Sequence, residues 1–280
     1  MNPDFPQTES PIDKPAQDFQ AVGPALRIFQ LNVEGLTAAK RKLIAVSAKE
    51  NNIDVICLQE THIGADESRH FTITGYDVIS YALHNKHGRA MYVRNDIVDV
   101  VKVESARHWD VIAVGGYMVA NVYKPPSEKW EAVCLPNLTH PAIATGDFNS
   151  HHQNWGYETE DADGVTLINW ASQSDFHLVH DPKQRGTFRS ARWKKEYNPD
   201  LCWVSTKQGQ PQPASCVVLN DFPKSQHRPS VIHVGLQIPI IRSIQKPRWN
   251  FRKANWDKFA EKLDRSVVTI PLTAIDCACG

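Results

Sequence analysis

Pro141-Ala-Ile-Ala-Thr-Gly-Asp-Phe-Asn-Ser150 is a short apolar run that ends in a glycine turn and delivers Asp147 and Asn149, two residues apart. A bare carboxylate is costly to bury, so the pattern predicts a buried strand whose polar pair stands on the rim. Side chains two apart on an extended segment point to the same side, so an acid and an amide would address one ligand. That suits a phosphate held beside a metal ion. The same design recurs along the chain. Leu26–Asn32 is an apolar strand ending on an amide, and Asn51–Glu60 reads as a helix exit and a buried strand with Glu60 at its end, followed by Thr61 and His62. Tyr117–Tyr123 ends on a phenol before Lys124-Pro125-Pro126, and His227 precedes the apolar run Ser230–Val234. Singly, each is what a helix cap or a solvated turn looks like. Their joint order carries the weight.

At 280 residues the chain can bury one large core. Residues 1–23, rich in Pro, Asp, Gln and Ser, read as a disordered leader without the apolar segment of a signal peptide. No apolar stretch approaches the roughly 20 residues that span a bilayer, so a soluble protein is expected. Six cysteines form no CxxC pair and read as core thiols in a reducing compartment. Formal net charge is zero, but Lys183, Arg185, Arg189, Arg192, Lys194 and Lys195 are clustered, as are Arg242, Lys246, Arg248, Arg252 and Lys253. The first cluster is either a phosphate-contacting loop near the rim or a solvated one, and Trp193 adds a stacking surface.

Strands are expected at Leu26–Asn32, Val55–Gln59, Ala90–Val93, Val111–Val114, Met118–Tyr123, Ala142–Thr145, Leu201–Val204 and Val231–Leu236. Helices are expected at Thr37–Glu50, capped by Thr37 with Leu43, Ile44 and Ser47 on one face, at Gly164–Ser174, and at Asn255–Val267 behind an Asn cap. This pattern alone gives a layered α/β domain.

The motifs LNVEGL at Leu31, LQETH at Leu58, VYKPP at Val122, TGDFNSHH at Thr145, NPDLCW at Asn198 and SQHRPS at Ser225 resemble those of the endonuclease/exonuclease/phosphatase superfamily. The resemblance covers roughly Arg27 to Gln237. Within the superfamily the chain looks most like the endonuclease domain of non-LTR retrotransposons, through GTF at Gly186, HRP after the SQ pair, and the tail RWNFRKANWDKF. It implies an α/β four-layer sandwich of two mixed β-sheets flanked by α-helices, spanning residues 24–240. Residues 241–280 would be a basic linker and amphipathic helix, truncated before the reverse transcriptase domain usually fused there.

The resemblance implies a Mg²⁺-dependent (or Mn²⁺-dependent) DNA-nicking endonuclease, expected to be monomeric and nuclear. Glu60 and Asn32 would hold the metal, a hard cation that prefers oxygen donors. Asp147 would position the attacking water, Asn149 a phosphoryl oxygen, and Tyr123 would donate to the phosphate or leaving group. Asp200 would be a further acid near the substrate, His227 would contact the phosphate or exchange protons, and Thr187, Ser225, Arg189 and Arg192 would bind substrate. Relatives place an Asp immediately before this His to orient its ring, where this chain has Gln226. The substitution predicts impaired catalysis unless another acid, such as Asp221, replaces it. Two alternatives stand beside the nuclease: a phosphoesterase with another substrate, and a catalytically impaired nucleic-acid-binding remnant. His151 and His152 read as surface-loop residues, and His84 and His87 have no carboxylate at metal-ligand spacing.

Overall fold

The computed structural model describes residues 25–65, 71–130, 135–235 and 255–267. The predicted leader and basic linker therefore lie outside the described residues. The chain divides into two compact units, Met1–Pro239 and Ile240–Gly280.

The first unit begins with β1 (Leu26–Asn32), α1 (Ala38–Glu50), β2 (Val55–Gln59), β3 (Tyr76–Ala82), β4 (Arg89–Arg94) and β5 (Val101–Ser105). There follow β6 (Trp109–Val114), β7 (Tyr117–Tyr123), β8 (Ala142–Asp147), α2 (Ala162–Gln173) and β9 (Phe176–Leu178). It closes with β10 (Phe188–Arg189), β11 (Glu196–Tyr197), β12 (Asp200–Lys207), β13 (Gln210–Pro211), β14 (Ala214–Val218) and β15 (Ser230–Val234). One sheet has the order β14-β15-β1-β2-β4-β3. The other runs β13-β12-β8-β7-β6-β5 with β9 also on β12, and β10 and β11 form a separate ribbon. Both sheets are mixed, since β1–β2 and β7–β8 are parallel among antiparallel neighbours.

Alternation along the strands builds the layers. On β1, Leu26 and Ile28 face the second sheet, packing with Val55, Met91, Ile112, Ile143 and Val204. Phe29 and Leu31 face the other way, onto Ile44 and Ala48 of α1. The outer face of the second sheet buries Ala144 and Trp203 against Leu167 and Trp170 of α2. The result is the expected helix–sheet–sheet–helix sandwich. Each such side chain contributes about 1.5–3 kcal/mol, and the inter-sheet layer fixes one sheet against the other.

Thr37 caps α1, its Oγ1 accepting from Lys40 N at 3.3 Å. The buried face of α1 is Lys40, Ile44 and Ala48, a spacing of four, rather than the expected Leu43-Ile44-Ser47 stripe; Leu43 is 42% exposed. α2 starts two residues before the predicted Gly164, because Asp161 takes the cap by accepting from Gly164 N at 2.7 Å. The short or edge strands β3, β5, β9, β10, β11, β13 and β14 have no matching expectation. β5 is exposed at every residue, so it shows no buried-face alternation to read. In the second unit, α3 (Trp256–Val267) is capped by Asn255, whose Oδ1 accepts from Lys258 N at 2.9 Å. No helix among the described residues is long and apolar enough to cross a membrane.

Candidate active site

The parallel pairs bring the C-terminal ends of β1 and β2, and of β7 and β8, to one edge of the sandwich, with Asn32 opposite Gln59 and Tyr123 opposite Asp147. β12 runs antiparallel to β8, so its first residue, Asp200, lies opposite Asp147. The polar residues singled out on separate strands thus meet at one edge.

Asp147 is not on the rim as expected; it is 1% exposed. Its Oδ2 accepts from Asn32 Nδ2 at 2.8 Å and Asn149 Nδ2 at 2.9 Å, and its Oδ1 from Asn149 N at 3.3 Å. These bonds offset the desolvation cost that led to the rim expectation. Burial still dominates and pushes the carboxyl up to about 7, with the His227 charge pulling down and Asp200 pushing up. Asn149 reaches Asp147 by turning back, not by strand alternation: its φ is 44°. Its second amide hydrogen goes to Lys124 O at 3.0 Å, which leaves Oδ1, an acceptor, to face the cleft. An acceptor suits a water better than the phosphoryl oxygen assigned from the sequence. Gly146 enables the approach of β8 to β7, because a Cβ there would lie 1.9 Å from Val122 O.

His227 corrects a second expectation. Its Nδ1 is 2.8 Å from Asp200 Oδ2, so Asp200 orients the ring, and Asp200 is buried behind His227. Asp200 Oδ1 accepts from Gln30 Nε2 at 2.8 Å. Burial lowers the basicity of His227, but Asp200 and then Asp147 overcome it and raise the ring to about 9. Gln226 faces elsewhere: its Oε1 accepts from Ala191 N at 2.8 Å and its backbone O from Arg189 N at 2.8 Å. Asp221 pairs with Arg228 at 2.6 Å and plays no part at the ring. The predicted impairment therefore loses its physical basis.

Glu60 stands at the rim with a side chain 20% exposed. Its Oε1 accepts the proton of Tyr123 at 2.9 Å, so the phenol's only donor is committed to Glu60 rather than free for phosphate. Burial, then the Glu60 charge, raises the Tyr123 pKa and keeps it a donor. Asn32 is fully buried, with Nδ2 fixed on Asp147 and Oδ1 accepting from Glu34 N at 3.2 Å. Among the described residues no three His, Cys, Asp or Glu side chains gather as a metal cluster. One rim carboxylate and one oriented amide oxygen nevertheless fit Mg²⁺, which is held by few protein oxygens and completes its shell with water and phosphate.

A cleft of 620 Å³ opens beside Asn149 and His227, with Phe188, Trp193, Tyr197 and Lys195 among its other lining residues. His151 lines it as well and stacks on Tyr157 at 4.2 Å. Of the basic cluster, Arg192, Lys194 and Lys195 lie in the turn of the β10–β11 ribbon and Arg189 on β10, whereas Lys183 and Arg185 precede it. Arg192 lies over the Trp193 ring at 4.6 Å, and Arg189 is 3.8 Å from Asp221. Thr187 and Ser225 are turned to scaffold bonds: Thr187 Oγ1 accepts from Asp200 N at 3.3 Å, and Ser225 Oγ donates to Asn32 O at 2.9 Å.

Several supporting residues escaped the sequence reading. Gln30 also donates to Gln59 Oε1 at 2.8 Å, and Gln59 donates to Asn121 Oδ1 at 2.6 Å, a buried amide chain behind the acids. Lys40 Nζ donates to Val33 O at 2.5 Å and Lys224 O at 2.8 Å, tying the end of β1 to the segment before His227. The available signal was polar residues inside otherwise apolar runs, which stay buried only when bonded.

The endonuclease-reverse transcriptase family matches residues 117–231. The RNA-directed DNA polymerase from mobile element jockey of Drosophila melanogaster is 28% identical over 149 residues, covering 48% of this chain and 16% of that protein. The endonuclease domain of TRAS1, a telomere-specific non-LTR retrotransposon, shares the fold with a TM-score of 0.59 at 18% identity, over 76% of this chain and 99% of that one. Residues 117–231 are thus similar to an endonuclease-reverse transcriptase family, and the fold is that of a solved endonuclease domain. A protein named for another activity shares the fold: the 3′-5′ exonuclease from Neisseria meningitidis aligns with a TM-score of 0.58 at 18% identity, over 75% of this chain and all of that one (100%).

Proposed function

We propose that this chain hydrolyses phosphodiester bonds in DNA, nicking one strand with Mg²⁺ (or Mn²⁺) held at Glu60 and Asn32. The observation that carries the reading is the adjacency of the Asn32–Asp147–Asn149 cluster and the Asp200–His227 pair beside one cleft. Phosphodiester hydrolysis needs a base near a water and a cation near the phosphoryl oxygens. Asp147, buried and raised to about 7, is poised to accept a proton at Oδ1. Asn149 Oδ1 orients the same water. His227, with Nδ1 held by Asp200, presents protonated Nε2 to the developing negative charge. When bound, Mg²⁺ supplies positive charge and lowers the pKa of coordinated water. Tyr123 fixes the Glu60 carboxylate, and the ribbon carrying Arg189, Arg192, Trp193 and Lys195 meets the DNA backbone by charge and stacking. Acting on chromosomal DNA, the protein would work in the nucleus, and its nick would give a 3′ hydroxyl to a reverse transcriptase, the activity named for the jockey relative.

The test is conversion of supercoiled plasmid to open circle by purified protein in Mg²⁺ and in EDTA, with Glu60→Ala alongside. Nicking that needs Mg²⁺ and vanishes in Glu60→Ala is the expected result. Folded protein that leaves the plasmid intact, or nicks it equally in EDTA, would overturn the proposal.

A further inference from the structure

His87 lies on the Ala82–Arg89 connection, outside the sequence motifs, yet its ring touches Tyr123. Its Nδ1 is 3.1 Å from Tyr123 Oη. The connection is zipped to the segment that follows Glu60: His62 N donates to His87 O at 2.8 Å and His84 N to Ile63 O at 3.0 Å. Gly88, at φ 93°, permits this closeness, since a Cβ would meet Thr61 Oγ1 at 2.6 Å. His84 completes the support by stacking on the His87 ring at 4.6 Å, while its own Nδ1 accepts from His87 N at 3.0 Å. The ring is thus placed by the His84 stack and by backbone bonds that tie its connection to the segment following Glu60.

The direction of the bond follows from counting protons. A phenol has one hydrogen, and that of Tyr123 goes to Glu60 Oε1, an acceptor-only carboxylate. Towards His87 the phenol oxygen is therefore an acceptor, and Nδ1 must carry the proton. Burial of the ring, and then the neighbouring His84, hold His87 below the ordinary histidine pKa against the opposing charges of Glu60 and Glu128, so the neutral ring has this one N–H.

We infer that His87 is a positioning residue whose Nδ1–H donates to Tyr123 and so directs the phenol proton onto Glu60. The catalytic consequence rests on the function proposed above; the tautomer does not. A single hydrogen bond of this kind changes an equilibrium about fivefold, and the change should fall on Glu60 as a metal ligand, since partners of ligands tune metal affinity. Plasmid nicking by the full chain should need about fivefold more Mg²⁺ for half-maximal rate in His87→Ala and His87→Gln, with KM for DNA unchanged. His87→Asn should retain the parent value, because its amide N–H occupies the place of Nδ1–H. In a Tyr123→Phe background His87→Ala should have no further effect. Equal losses in the Asn, Gln and Ala variants, or losses that add in the Tyr123→Phe background, would overturn the inference. Histidine tautomers read by long-range ¹H–¹⁵N NMR on the metal-free full chain give an answer without catalysis. His87 should be the Nδ1–H form and revert on Tyr123→Phe; an Nε2–H form in the parent would refute the inference even if DNA is nicked. A plasmid left intact by protein with the Nδ1–H form would instead sink the proposed nuclease and leave the hydrogen bond standing.

Discussion

Replacing Asp200 by Asn separates the two possible sources of His227's orientation. The Asp200 carboxylate accepts from Gln30 Nε2 on Oδ1 and faces His227 Nδ1 on Oδ2, each at 2.8 Å. Asn offers one acceptor and one NH₂ group, so one donor must confront another, a mismatch worth about 1–3 kcal/mol. The electrostatic effect is larger. His227 stands at about 9 although burial lowers it, with Asp200 the foremost opposing charge. Returning the ring from about 9 to its ordinary 6.5 corresponds to about 3 kcal/mol at most. The sign follows from the raised pKa: the stabilisation is fully present below pH 6.5 and is lost as pH rises through about 9. The parent's thermal midpoint should therefore fall across that window, and the Asp200→Asn midpoint should be lower and flatter with pH. A His227 NMR titration on both proteins measures the same change directly. Cleavage at neutral pH should drop about 10²–10³-fold, the usual cost of losing an oriented positive donor. An Asp200→Asn protein whose His227 still titrates near 9, or whose melting curve keeps the parent's pH dependence, would refute this account.

Three other substitutions test the surrounding scaffold. Gln226→Asp should nick plasmid no faster than the parent, because its side chain faces Ala191 N and not the ring; a tenfold gain would restore the impairment argument. Gly146→Ala should cost about 3 kcal/mol or more in denaturant unfolding, since the new Cβ would lie 1.9 Å from Val122 O; a change under about 1 kcal/mol would show that β7 and β8 can separate there. Lys124→Met removes the fully buried partner of Asp163, 3.0 Å away, and leaves that carboxylate only Trp130 N and the exposed Lys129. Unfolding free energy should fall by about 1–3 kcal/mol, and an unchanged value would mean that Trp130 and Lys129 suffice for Asp163.

The legible part of this protein was the order of its motifs. Strong apolar runs such as Val55–Gln59 and Ala142–Thr145 declare themselves as buried strands, and the polar residue that ends each one is visible because it interrupts the run. Which partner each polar group would choose was not legible. Gln226 is next to His227 in sequence, but a residue one step along an extended chain points to the opposite face, and so Asp200, at the start of another strand, reaches the ring instead. His87 was set aside because no acid lay at ligand spacing, whereas its actual partner is a phenol on a strand of the other sheet. The rim position expected for Asp147 failed for a related reason: its desolvation is met by two amides, one of them supplied by a strand remote in sequence.

These misassignments share a cause that also explains how the site keeps its geometry. Asn32 and Glu60 come from one sheet, whereas Tyr123, Asp147 and Asp200 come from the other, so every bond between the two groups crosses the sandwich. Their relative positions depend on the apolar layer of Ile28, Val55, Ile112 and Ile143 between the sheets, and on the buried contacts Gln30–Asp200 and Gln59–Asn121 that cross it. An amide bridge is directional where apolar packing is not, so it sets the slide of one sheet over the other and with it the Asn32–Asp147 distance of 2.8 Å. Gln59→Leu is therefore expected to leave the fold intact yet depress cleavage, as loss of register would misplace the metal ligands against the base. Full activity in a stable Gln59→Leu protein would show that apolar packing alone holds the two halves of the site together.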